Sequence, residues 1–165
     1  MAEMTKEGET QLVVFVLAKE EFACNIADVR EVLKMIRITP LPRSLDFVEG
    51  VINLRGEVIP VIDLRKRFNL PSVERTDESR IIIVEVEERM VGLTVDSVSE
   101  VIRLSNKQIQ EAPNHVAGEQ TNLIMGVGKI DDRMLIILNL ERILTSEEQI
   151  ALVEISQVSK KLATG

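Results

Sequence analysis

One cysteine (Cys24) and one histidine (His115) in 165 residues decide most of the chemistry open to this chain. A thiolate–imidazole metal site needs several such ligands, and an internal disulfide needs two cysteines, so neither can be built. Nucleophilic catalysis needs a base held beside a Ser or Cys. His115 falls in the turn-like stretch Ala112–Gly118, next to Pro113 and Asn114, with no identifiable partner, and is expected in a solvated loop. Cys24 stands at an alternating strand position, which suits a small buried hydrophobe better than a reactive thiol. Gly126-Val127-Gly128-Lys129 has the residue types of a phosphate loop, but it lacks the GxxxxGK[ST] spacing and precedes a hairpin rather than a helix. Asp131-Asp132 offers two carboxylates without EF-hand spacing, and a hairpin turn accounts for them. No catalytic constellation, metal site or cofactor site is expected.

Charge leaves fewer candidates. The net charge of −7 opposes general affinity for nucleic acid or anionic lipid. A small nucleic-acid-binding barrel, the alternative from another functional class, needs aromatic platforms beside a basic groove. This chain has no Trp, no Tyr and four Phe, mostly at core-like positions. The cluster Arg65-Lys66-Arg67 reads as a solvated strand end. Arg55, before Gly56 at a hairpin tip, fits an exposed turn residue and a planar recognition group for carboxylates equally well.

The elements that must position these residues are mainly β. The chain holds 20 Val and 18 Ile, and β-branched aliphatics favour sheet. Hydrophobic residues at 45% and charged residues at 28% suit a globular protein. The longest apolar run, Leu12 to Ala18, is far short of the roughly 20 residues of a membrane span. The N-terminus lacks the pattern of a signal peptide, so a cytoplasmic location is expected.

Compared with itself, the chain repeats. Leu12–Leu33 superposes on Ile81–Ile102 without a gap at a shift of 69, bringing Val29 onto Val98 and Glu31 onto Glu100. Gly50–Phe68 matches Gly126–Leu144 at a shift of 76. The repeat units are therefore 12–68 and 81–144, with a linker over 71–79. Each unit should form hairpins, two of them turning at Arg55-Gly56 and at Asp131-Asp132. The segments Ala27–Leu33 and Asp96–Ile102 are too short to decide between helix and strand. Pro60 inside an apolar strand implies a sheet edge or a bulge. Ser44 is expected to cap a short helix over Leu45–Glu49, and a C-terminal helix is expected over 146–162 from the Ser146/Gln149 capping box. Two units of this size are marginal alone, so they should share a core within one domain spanning 1–165.

In the order and spacing of five segments, the chain resembles the CheW family of chemotaxis coupling proteins from about Leu12 to Ile150. The segments are LVVFVLAKEEFACNI, ADVREVL, GVINLRGEVIPVIDLRKRF, VGLTVDSVSEVIRL and GVGKIDDRMLIILNLERIL. The resemblance implies two pseudo-symmetric SH3-like five-stranded β-barrel lobes, and a non-enzymatic scaffold role. It implies two partners: the cytoplasmic tip of chemoreceptors (methyl-accepting chemotaxis proteins) and the regulatory domain of the histidine kinase CheA. The protein would then be recruited from the cytoplasm to membrane-associated arrays, without membrane insertion or nucleic acid. Carried over by position, Ile26, Val29, Glu31, Val32, Gly50, Arg55 and Val98 fall on the receptor side. Ile38, Gln110, Asn114 and His115 fall on the kinase side.

Overall fold

The computed structural model describes residues 8–41, 46–111 and 123–143. In chain order its strands are β1 (Glu9–Leu17), β2 (Glu20–Asn25), β3 (Val29–Lys34), β4 (Val48–Leu54), β5 (Glu57–Asp63), β6 (Arg80–Val86), β7 (Arg89–Val95), β8 (Ser97–Ser105), β9 (Ile109–Glu111), β10 (Ile124–Ile130) and β11 (Arg133–Leu138). A one-turn helix, α1 (Leu64–Arg67), follows β5. The strands form two sheets, ordered β8-β1-β2-β11-β10-β9 and β3-β6-β7-β5-β4. The first sheet has a sixth strand because Ile109–Glu111 pairs along β10. Its counterpart in the second is a single bridge, Thr39 to Val51. Tight turns join the hairpins: Ala18/Lys19, Arg55/Gly56 and Glu87/Glu88 all take positive φ, as a type I′ turn requires.

Side-chain alternation builds three cores from these two sheets. In β6, Ile81 and Ile83 point into a cluster with Ile52, Ile59 and Val61, enclosed by their own sheet. Ile82, Val84 and Val86 point the other way, into a core shared between the sheets. β1 does the same: Leu12 and Val14 join Leu104, Leu135 and Ile137 inside the first lobe, while Val13, Phe15 and Leu17 join the shared core. Both faces are buried, which is why these strands are unbroken apolar runs rather than alternating ones. All four Phe pack in or against the shared core. Phe15 stacks on Phe22 at 6.0 Å between centroids, and Phe22 lies 5.5 Å from Phe68.

Strand assignment departs from the repeat boundaries. The second lobe is the contiguous stretch from β3 to β7; the first is built from β1-β2 and β8 to β11. Each repeat unit thus gives its leading hairpin to one sheet and its trailing hairpin to the other. The stretch 71–79 joins two repeat units yet stays within one lobe, running from α1 to β6.

Ala27–Leu33 divides: Ile26–Asp28 is a 3-10 turn and β3 starts at Val29, whereas the matching segment lies almost wholly in β8. The expected helix over Leu45–Glu49 does not form. Val48 and Glu49 belong to β4, where pairing with β5 outweighs a local capping signal, and Ser44 and Leu45 lie outside the described residues. The stretch 146–162 also lies outside them. Pro60 sits in an interior strand, but pairing of β5 with β7 starts only at Val61. Its register partner Val51 turns its N–H and carbonyl to Thr39, so the nitrogen of Pro60 faces the open side and no ladder bond is lost.

Candidate functional site

The chain passes between the lobes at two places, Asn25 to Val29 and Val95 to Ser97. At the first, the Asn25 side chain accepts the Ala27 N–H at 2.9 Å and caps the 3-10 turn. That turn lies against both β1 and β6. Ile26 and Val29 leave the first crossing and Val98 the second, and all three are half-buried against the shared core. Three of the expected receptor-side residues therefore meet the boundary between the lobes. Along β3, Glu31 and Leu33 turn inward while Arg30, Val32 and Lys34 face solvent. Val32 is 41% exposed, unusual for a strand valine in this molecule.

Arg55 occupies the tip of the β4–β5 hairpin, with φ of 51°. The Asn53 side chain accepts the Gly56 N–H at 2.9 Å and fixes the turn. Both terminal nitrogens of Arg55 bind Glu31, Nη2 to Oε2 at 2.7 Å and Nη1 to Oε1 at 3.2 Å. That hydrogen bond, helped by the guanidinium charge, holds the Glu31 carboxyl below its ordinary value. β3 and β4 are opposite edges of their sheet, so this pair joins its two ends. Arg55 remains 72% exposed and Glu31 32%, leaving the pair open to a partner.

The pair has a twin that the sequence reading missed. Glu100, the repeat mate of Glu31, faces Arg133 at 3.4 Å, and Arg133 also binds Glu21 at 2.7 and 3.1 Å. The 69-residue shift equates the two acids. The arginines are out of step, since the mate of Arg55 is Asp131.

Gly50 lies within β4 of the second lobe. It is buried at a register shift of β4, where an added Cβ would be driven into the Thr39 carbonyl and would lie 3.0 Å from Ile38. Gly126 stands under Gln110 in the same way. Ile38, half-buried against the core of the second lobe, and Gln110, exposed on β9, thus hold matching places on separate lobes. Asn114 and His115 lie outside the described residues. Cys24 is fully buried, and burial pushes its thiol up to about 12. Among the described residues, no cluster of three His, Cys, Asp or Glu could hold a metal ion.

The chain as a whole is similar to known proteins. The CheW-like domain model matches residues 11–148. The chain is 37% identical to chemotaxis protein CheW of Klebsiella aerogenes, covering 86% of this chain and 87% of that protein. It is 39% identical to chemotaxis protein CheW of Bacillus subtilis, covering 86% and 90%. Among solved structures it resembles the scaffolding protein TtCheW from Thermoanaerobacter tengcongensis, with a TM-score of 0.78 and 43% identity over 84% of this chain and 94% of that one.

Proposed function

The chain belongs to the CheW-like domain family, and from that premise we propose that it is a non-catalytic coupling protein joining chemoreceptor tips to the histidine kinase CheA. The observation that carries the reading is the meeting of Ile26, Val29 and Val98 at the lobe boundary, which we read as a groove. Half-buried Ile26, Val29 and Val98 offer an apolar seat for a receptor helix hairpin, with exposed Val32 beside them. Apolar contact supplies most of the affinity at such a seat, and charged groups at the rim set orientation and partner choice. Arg55 and Glu31 form that rim.

The kinase would meet faces away from the groove, through Ile38 on one lobe and the segment of Gln110, Asn114 and His115 on the other. One rigid body with separate faces can then hold receptor and kinase together in a membrane-associated array. Among the described residues no helix is long and apolar enough to cross a membrane.

Co-sedimentation with receptor signalling fragments and CheA tests this. The wild-type protein is expected in the pellet with both. Arg55→Glu places a second carboxylate against Glu31, and should weaken receptor attachment about tenfold while circular dichroism is unchanged. Wild-type protein that stays in the supernatant would refute the function; an unaffected Arg55→Glu variant would refute the site.

A further inference from the structure

The run Arg65-Lys66-Arg67, expected as a solvated strand end, is mostly tied down; only Lys66 is exposed. The Arg65 side chain is 13% exposed and binds Asp96 through Nε at 2.8 Å and Nη2 at 2.5 Å. Its third nitrogen donates to the Pro71 carbonyl at 2.7 Å. Asp96 Oδ2 also accepts the Ala18 N–H at 2.9 Å, and the Asp96 N–H donates to the Val16 carbonyl at 3.0 Å. Arg67 Nε donates to the Ile143 carbonyl at 2.7 Å. Arg65 and Arg67 belong to the second lobe; Val16, Ala18 and Ile143 belong to the first. Asp96 is the residue at which the chain passes from one to the other. α1 itself is held by the Asp63 side chain, which accepts the Arg65 N–H at 2.9 Å, and by buried Leu64.

We propose that α1 is a bracket between the lobes, and that Asp96 is a positioning residue that sets the width of the groove. The shared core is apolar and its close packing sets the coarse seating of the lobes, while the apolar driving force itself is non-directional. Direction comes from charge-assisted hydrogen bonds. At the second crossing the Asp96 carboxylate takes donors from both lobes at once. Val98, one wall of the groove, is two residues farther along; Val29, the opposite wall, is carried by the other lobe. Release of Asp96 frees one wall relative to the other. A ligand that spans the groove feels that release; the faces at Ile38 and at Gln110 each lie within one lobe, so a kinase domain seated on either one does not. The inference rests on the proposed receptor groove, and it predicts a selectivity that this groove alone does not.

The test uses Asp96→Asn, which keeps an acceptor for Ala18 but removes the charge facing Arg65, together with Arg65→Gln. Binding to a receptor signalling fragment and to the CheA regulatory domain is measured separately. Lobe orientation is read from residual dipolar couplings. Receptor binding should fall about tenfold and kinase-domain binding should change less than twofold. The lobe-to-lobe orientation should shift while couplings within each lobe stay fixed. If Asp96→Asn fails to fold, Arg65→Lys keeps the charge but loses the paired contact, and should show the same selectivity more weakly. Unchanged orientation, or equal loss of both partners, would overturn the bracket. Wild-type protein that binds no receptor fragment would instead overturn the proposed function, leaving the orientation measurement to judge the bracket.

Discussion

Arg55 and Glu31 can each be recognised by a partner, or can serve only to pin a hairpin to an edge strand; a charge swap separates these roles. In Glu31→Arg/Arg55→Glu the two groups still face each other, so the pinning is retained. Receptor binding should stay weak if the partner reads the Arg55 cation, and should recover if pinning is all that matters; the proposed function expects the former. The pair also sets a pH window. The Glu31 carboxyl is depressed in the folded state by its hydrogen bond to Arg55, so what it contributes is fully present above its unfolded value, about 4.3. That contribution is lost as pH falls through the lower folded value. Asp96, held below its ordinary value chiefly by its hydrogen bond to Arg65, follows the same sign. Carboxyl carbon shifts followed by NMR should therefore be flat from pH 8 to pH 5, with both groups titrating below the free carboxylate range. A midpoint at or above the ordinary carboxylate value for either would contradict the geometry.

The elements carry both the successes and the failures of sequence reading. The runs around Phe15 and Ile83 declare strands because β-branched residues fill them, and the turn at Arg55-Gly56 declares a hairpin. Val29 and Val98 were legible as mates from the repeat alone. The helix assigned to Leu45–Glu49 shows the limit, since a capping residue and a following glycine are local signals and β4 is decided by its partner β5. The Arg65–Asp96 contact was invisible for a related reason: its members are far apart in sequence and meet only once both lobes are placed. The repeat did point to Gly50 and Gly126 as a pair, and the structure gives the cause in the carbonyl that crosses each. Gly126→Ala would set a Cβ 2.6 Å from the Gln110 carbonyl oxygen, a backbone atom that cannot swing aside. Such overpacking should cost about 2–3 kcal/mol in denaturant unfolding. Gly56→Ala meets open space and has only its φ of 87° to oppose it, so it should cost about 1 kcal/mol. Equal losses at the two sites would mean that the crossing carbonyl is not what selects glycine.

At the scale of the molecule, repeat and lobe are different units, and cutting the chain tells which one folds. A fragment 12–68 contains β3, β4 and β5 but lacks β6 and β7, the strands that lie between β3 and β5. It should be unfolded. A fragment 29–95 has its whole sheet, β3-β6-β7-β5-β4, and keeps its interior cluster of Ile52, Ile59, Val61, Ile81 and Ile83. What it loses is cover for the other face, where Ile82, Val84, Val86, Val91 and Leu93 would meet water. Burying side chains of this kind is worth roughly 1.5–3 kcal/mol each. Exposing five of them removes an amount comparable to the whole stability of a typical domain, about 5–15 kcal/mol. The fragment 29–95 should therefore show β-sheet dichroism yet sediment as an aggregate or a dimer that covers the exposed face. A cooperative thermal transition in monomeric 12–68 would make the repeat the folding unit. It would also contradict the sheet order, because the strands flanking β3 and β5 would then be dispensable.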